Sequence, residues 1–274
     1  MTECLDARGQ RLEVDLHSDR GFLLGDGVFE TVRVEGGVPL WLEEHLQRLG
    51  ESARRVRLVS PWTPSQVAGF LRGQLGPWPM GRLRLSLTAG AGGRGYIRPT
   101  RPEVRLYAHV TEAAPAVRLE RLDVSPHRVP ESWPAKTLSG LPRILTAPPE
   151  GKEWVMLSEK GHVTETTMAN IFWLREGEVQ TPRRNASMLG GLTRDRVLKL
   201  AKAMGLSCRE GDFELDVLRG AAAIWLTGTV IGLLPVERIE DRLMGENAVY
   251  SMIFKEYQQV IHHEIQRVKS SLFR

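Results

Sequence analysis

The stretch Val28-Phe-Glu-Thr-Val-Arg-Val-Glu-Gly-Gly-Val-Pro-Leu-Trp41 carries a strand signal and a turn signal in direct succession. Apolar and β-branched residues over 28–34 read as a strand, Gly36-Gly37 as a tight hairpin turn, and Val38–Trp41 as the returning arm. Helical spacing then takes over. Leu46, Leu49, Ala53 and Val56 recur on one face between Glu43 and Leu58, with acids at the start, where the helix dipole favours them. A hairpin that runs straight into an amphipathic helix marks an α+β chain.

Working outward, residues 10–16 read as a further strand, and Pro64 opens a second helix through Leu75. Arg82–Thr88 and Glu103–Val110 form a strand pair around a glycine-rich loop. Thr111–Ala116, with Ala113-Ala114-Pro115-Ala116, has the composition of a linker. Beyond it, strands are expected at 117–124, 153–157, 171–174 and 222–226, and a helix from Thr193 to Met204 that stops at Gly205. A long C-terminal helix spans Glu246 to Leu272, with Val249, Ile253, Tyr257, Ile261, Ile265 and Val268 on its apolar face. The expected organisation is a small N-terminal α/β domain over 1–110, a linker over 111–116 and a larger C-terminal domain over 117–274.

With 274 residues, 42% of them hydrophobic, the chain can bury a sizeable core. Cys4 and Cys208 form no disulfide framework and no zinc-site spacing, so a reducing, cytoplasmic compartment and no metal are expected. The sequence shows neither a signal peptide nor an apolar run long enough to span a membrane. The net charge of +4 comes from scattered arginines with acidic neighbours, which argues against a nucleic-acid interface.

The seven lysines are few enough to compare one by one. A Schiff-base lysine must spend time neutral, which requires burial or a nearby positive charge. Six of the seven sit in charged turns or on polar helix faces, whereas Lys136 is flanked by Trp133-Pro134-Ala135 and Thr137-Leu138. It is the best candidate for a buried amine, although a surface lysine in a proline-rich loop has the same local sequence. Gly190-Gly191-Leu192-Thr193 precedes an amphipathic helix and suits an anion, through free N–H groups and the Thr193 hydroxyl, or else a plain glycine loop. Thr227-Gly228-Thr229 puts hydroxyls at a strand end, and Arg48 is either a solvated helix residue or a guanidinium for a phosphate dianion. Glu165, just before the strand Ile171–Leu174, either holds a pyridine N–H⁺ or is a surface hairpin acid.

In this order, Gly25-Asp-Gly-Val-Phe-Glu-Thr31, His45-Leu-Gln-Arg48, Lys136, Val163-Thr-Glu165, Gly191-Leu-Thr193 and Thr227-Gly-Thr229 resemble the fold-type IV pyridoxal 5′-phosphate (PLP) enzymes. That family includes branched-chain aminotransferases, D-amino acid aminotransferases and 4-amino-4-deoxychorismate lyases. The resemblance implies a small N-terminal α/β lobe, a larger barrel-like C-terminal lobe, a homodimer, and PLP carried on Lys136. By the same resemblance Glu165 pairs with the pyridine nitrogen, while Arg48, Leu192, Thr193 and Thr229 hold the phosphate. The loop Gly90-Ala-Gly-Gly-Arg94-Gly-Tyr96 and Thr31 look most like the lyases. This implies cleavage of 4-amino-4-deoxychorismate to 4-aminobenzoate and pyruvate, with Lys136 and Thr31 catalytic and Phe29, Arg94 and Tyr96 meeting substrate. The alternative on the same scaffold is an aminotransferase for branched-chain or D-amino acids. Thr166 and Ser139 depart from the family pattern, which usually has Gly and Asn at these places, and this weakens the choice between the two.

Overall fold

A computed structural model describes residues 2–6, 8–71, 75–76, 78–129, 135–149, 152–185 and 188–272. The first elements are β1 (Thr2–Leu5), β2 (Arg11–Leu12), α1 (Arg20–Leu24), β3 (Gly27–Glu35), β4 (Val38–Pro39), α2 (Leu42–Arg55), α3 (Pro64–Leu71), β5 (Met80–Thr88) and β6 (Arg105–Glu112). Then come β7 (Leu122–Val129), α4 (Leu141–Leu145), β8 (Glu153–Ser158), β9 (Val163–Thr166), β10 (Asn170–Arg175) and β11 (Glu178–Pro182). The chain closes with α5 (Leu192–Ala203), β12 (Cys208–Gly211), α6 (Leu215–Arg219), β13 (Ala223–Gly228), β14 (Gly232–Pro235), β15 (Arg238–Ile239), β16 (Arg242–Leu243) and α7 (Ala248–Leu272).

Two compact units emerge. Unit 1 comprises Met1–Ala114, Pro134–Pro142 and Glu264–Arg274, and unit 2 comprises Pro115–Trp133 and Arg143–His263. The first cut falls inside the expected linker, but the segment around Lys136 and the chain end return to unit 1. Backbone pairing explains the return. Phe29 N–H donates to Lys136 O at 2.9 Å, Leu138 N–H donates to Gly27 O at 2.9 Å, and Thr137 bridges Val28. Near the other end, Trp41 N–H donates to Glu264 Oε1 at 3.3 Å.

Unit 1 is built on a six-stranded antiparallel sheet in the order β2-β1-β6-β5-β3-β4. One face carries Val28, Val32 and Val34 with Leu83, Leu85, Leu87, Leu106, Ala108 and Val110, which pack with Leu49 and Ala53 of α2 and Phe70 and Leu71 of α3. The opposite face carries Phe29, Thr31 and Arg33 of β3 beside Ser86, Arg84 and Arg82 of β5. Gly36 and Gly37 have φ of 53° and 78°, the left-handed pair a two-residue hairpin turn requires. The strand expected over 10–16 shrinks to β2, because the Asp15 carboxylate accepts the His17 N–H and the Ser18 hydroxyl and turns the chain locally.

Unit 2 contains two five-stranded sheets, β12-β11-β10-β13-β14 and β16-β15-β7-β8-β9. One core joins them, with Ile171, Trp173, Ile224 and Leu226 from the first and Leu122, Val155, Leu157 and Val163 from the second. This is the barrel-like arrangement expected of the larger lobe. The strand placed at 117–124 runs instead over 122–129; Val117 is exposed, and pairing with β8 is irregular between Val124 and Arg128, around Pro126. Helix α5 starts one residue before the expected Thr193, and α7 starts at Ala248, capped by Asn247 Oδ1. The helix expected from Pro64 to Leu75 is seen as α3 to Leu71, and 72–74 lie outside the described residues. Among the described residues no helix is long and apolar enough to cross a membrane.

Candidate functional site

In unit 2, Glu165, the start of α5 and the end of β13 come together. Glu165 sits on β9 with its side chain only 6% exposed. Its Oε1 accepts from Arg143 Nη2 at 2.7 Å, and its Oε2 from the Leu189 N–H at 3.1 Å and Asn170 Nδ2 at 3.3 Å. A carboxylate that accepts from these donors suits a cationic N–H. Asn170 ties this acid to the glycine turn, donating also to Leu189 O at 2.9 Å. A Cβ on Gly191 would stand 2.0 Å from Asn170 Oδ1, so only glycine lets the chain pass there.

Gly191 is also the N-cap of α5 and offers no side-chain acceptor. The first N–H groups of the helix therefore face outward without an intrahelical partner, as an anion site requires. Leu192 is half-buried and Thr193 buried at this end. Thr227 pairs with Asn170 across the β10–β13 ladder, and its buried Oγ1 has no hydrogen-bond partner. Thr229 is half-buried in the turn that follows β13. Arg184 lies against Gly190 and pairs with Asp195 of α5. An uncapped helix start, an orphaned hydroxyl and a glycine cradle fit a phosphate group, and Glu165 fits a protonated ring nitrogen. The residues present are thus suited to PLP.

In unit 1, Lys136 is half-buried, and its Nζ lies 4.7 Å from the centre of the Phe29 ring. The flanking Trp133 and Pro134 fall outside the described residues. Thr31 stands on the same strand face as Phe29, two positions along β3, with Arg84 opposite it on β5. Arg48 is on the other side of the sheet. Its Nε and Nη2 donate to Glu30 at 2.7 and 2.8 Å, and His45 Nδ1 lies 2.9 Å from the same carboxylate. Burial pushes the Glu30 carboxyl upward, but hydrogen bonds from His45 and Arg48 and the guanidinium charge outweigh it and bring the pKa to about 2. Arg48 therefore has a structural partner that the local sequence did not reveal.

The loop 90–96 projects Arg94 and Tyr96 into solvent, Tyr96 being 92% exposed. Gly90, Gly92, Gly93 and Gly95 all have positive φ, from 55° to 96°. The loop is nonetheless tethered, because buried Arg20 donates to the carbonyls of Gly92 at 3.1 Å and Gly95 at 3.0 Å. Arg20 and Arg98 share Asp26 as their acid. These residues, with Arg57, Tyr96 and Thr137, line a cavity of about 590 Å³ within unit 1. Arg20, Arg84, Arg143 and Asn170 were not singled out in the sequence. Most of their partners lie far along the chain, such as Gly92 and Gly95 for Arg20, Phe29 for Arg84 and Glu165 for Arg143.

Comparison with known proteins follows the same lines. The sequence profile of the family described as Amino-transferase class IV matches residues 27–239. An aminodeoxychorismate lyase of Bacillus subtilis is 26% identical over 273 residues, covering 90% of each chain. A putative branched-chain-amino-acid aminotransferase of Methanocaldococcus jannaschii is 31% identical over 243 residues, covering 84% of each. Among solved structures, an aminotransferase from Brucella abortus bound to PLP superposes with a TM-score of 0.83 at 23% identity, over 95% of this chain and 99% of that one.

Proposed function

Because the chain belongs to the class IV aminotransferase family, we propose that it holds PLP on Lys136 and cleaves 4-amino-4-deoxychorismate to 4-aminobenzoate and pyruvate. The observation that carries the reading is one face of β3, where the Lys136 amine lies 4.7 Å from the Phe29 ring and Thr31 stands two positions along. An amine to remove a proton and a hydroxyl to deliver one are thus supplied beside one strand face. The similarity to the Bacillus subtilis lyase supports the same choice.

When bound, PLP supplies a ring that draws electrons from the carbon bearing the substrate amine. In this proposal the N–H groups of Leu192 and Thr193, the Thr193 hydroxyl and Thr229 bind the phosphate, while Arg48 keeps its pairing with Glu30. Glu165 keeps a proton on the ring nitrogen. Lys136 Nζ, neutral, takes the proton from the amine-bearing carbon. Arg94 clamps a substrate carboxylate, with Tyr96 and Phe29 flanking the ring. Thr31 Oγ1 passes a proton to the departing enolpyruvyl group as its C–O bond breaks. The substrate ring thereby loses one C–H and one C–O bond, gains a double bond and becomes aromatic, and the enolpyruvyl group leaves as pyruvate. A second copy of the chain is the proposed partner, which the exposed Phe22, Leu23, Tyr96 and Ile97 support as an apolar surface of unit 1.

A second reading, amino transfer between branched-chain or D-amino acids and a 2-oxo acid, is favoured by the 31% identity to the archaeal aminotransferase. It keeps every cofactor role above. The deciding assay offers 4-amino-4-deoxychorismate with no oxo acid, and separately amino donors with one. Release of 4-aminobenzoate in the first arm is expected. Amino transfer in the second arm, with none in the first, would sink the lyase reading.

A further inference from the structure

The sheet face that carries Lys136 holds a cation to which the proposed mechanism gives no role. Phe29 and Thr31 of β3 stand opposite Ser86 and Arg84 of β5, so these four side chains share one face. The Arg84 guanidinium carbon is 3.8 Å from the centre of the Phe29 ring, and Lys136 Nζ is 4.7 Å from the same point. Their positive charges are therefore no more than about 8.5 Å apart, about one Debye length at physiological salt. Among the described residues, the other ionisable groups on this face include Arg33 and Glu35 of β3, paired with each other, Arg82 of β5, and His109 and Arg105 of β6. Arg105 is offset by Asp19. Among these described groups Arg84 is the cation nearest the Phe29 ring.

We infer that Arg84 acts through Lys136, its fixed charge lowering the proton affinity of Nζ and so raising the neutral, nucleophilic fraction of the amine. A guanidinium does not give up its proton in a protein, so only Lys136 can relieve the repulsion. Phe29 pulls the other way, since an aromatic face attracts cations. Arg84, the closer of the two, already occupies that attraction, and a full charge at this range outweighs what is left of it. A neighbouring cation is one of the ways in which a catalytic lysine is activated. The inference rests on reading Lys136 as the amine that holds the cofactor. Arg84 is then a positioning residue for the chemistry.

The test titrates the amine itself in the cofactor-free protein. Competitive labelling with acetic anhydride over a pH series, followed by peptide mass spectrometry, gives a midpoint for each lysine, and the other six serve as internal references. In wild-type protein the Lys136 midpoint should lie about one unit below those of Lys199, Lys202 and Lys255. Arg84→Gln should raise it by about one unit, roughly a tenfold loss of neutral amine at pH 8, and leave the others in place. Arg84→Lys, which keeps the charge, should hold the wild-type midpoint. An unmoved midpoint in Arg84→Gln overturns the inference, and so does an equal shift in both variants, since packing would then be responsible. Should Arg84→Gln fail to fold, the wild-type protein decides alone, because a Lys136 midpoint level with the surface lysines refutes the idea. Borohydride reduction of the PLP-loaded wild type, with peptide mapping, tests the underlying assignment separately. A cofactor label on another lysine ends that assignment, whatever the titration shows.

Discussion

Glu30 is a carboxylate in the middle of an apolar face, and replacing it with Gln measures what its charge contributes. It is fully buried between Val28 and Val32, with Leu85 opposite it on β5. Arg48 grips it through two hydrogen bonds of 2.7 and 2.8 Å, and His45 lies at 2.9 Å. Against the ordinary value of 4.5, burial raises the pKa, but the two partners bring it down to about 2. The folded pKa is the lower one, so folding favours the ionised form. Its contribution is complete above about pH 4.5 and disappears as the pH falls toward 2. At 1.36 kcal/mol per unit, that shift corresponds to about 3 kcal/mol, an order-of-magnitude figure.

Gln keeps the shape and removes the charge that Arg48, mostly buried, is paired with. Breaking a buried pair from one side costs about 3–5 kcal/mol, so Glu30→Gln should lose that much at pH 7. It should also lose less on acidification than wild type does, by about 3 kcal/mol between pH 5 and pH 2. Urea unfolding followed by tryptophan fluorescence suits the measurement, since Trp62 reports from the same core. Arg48→Met added to Glu30→Gln should cost little more, because the pair acts as a unit. A loss under about 1 kcal/mol at pH 7, or an acid limb parallel to wild type, would refute the reasoning.

Lys136→Ala should abolish the borohydride-reducible PLP adduct and all turnover; an adduct retained in that variant would move the assignment elsewhere. Thr193→Ala should weaken PLP binding about ten- to a hundredfold, measured by equilibrium dialysis, because a charge-assisted phosphate contact is worth about 1.5–3 kcal/mol; an unchanged Kd removes Thr193 from the phosphate site. Glu165→Gln should retain bound PLP but slow Cα-proton removal, seen as loss of exchange from deuterated substrate, and wild-type exchange would place Glu165 outside the site. Arg94→Lys should impair 4-aminobenzoate release while leaving the absorbance of bound PLP normal, because a point charge replaces a bidentate fork; unimpaired release would release Arg94 from substrate recognition.

The parts legible in the sequence are those whose cause is local. The turn at Gly36-Gly37 needs two left-handed residues, and α2, α5 and α7 advertise an apolar stripe at helical spacing. The strands β9, β11 and β12 escaped notice because each spans only a few residues, too short for periodicity to show. Lys136 was found by comparing local surroundings, but its place in unit 1 was not, because the bridge from Thr137 to Val28 joins distant residues. For the same reason nothing near Arg143 announces Glu165, and nothing near Arg20 announces the loop it holds. Glu30 was quoted only as part of a motif, since a lone acid in a strand pattern gives no hint of the helix residues that neutralise it.

This difference between local and distant causes also explains why the cofactor is easier to read than the reaction. A phosphate site needs a glycine turn, a helix start and a hydroxyl, and the first two are contiguous at Gly190–Thr193. Lyase and aminotransferase chemistry both begin from that equipment, so its presence does not separate them. The groups proposed to separate them, Thr31 and Arg94, depend on what the fold places beside them. Four left-handed glycines alone describe a loop that could take many shapes. The Arg20 guanidinium, fixed by Asp26, selects among those shapes by binding the Gly92 and Gly95 carbonyls on either side of Arg94. A loop pinned on both sides of its one arginine holds the backbone of that residue at a defined place, so less backbone entropy is left to lose if it takes a carboxylate as proposed. Glycine supplies the permitted geometry, and a buried arginine, distant in sequence, makes it specific.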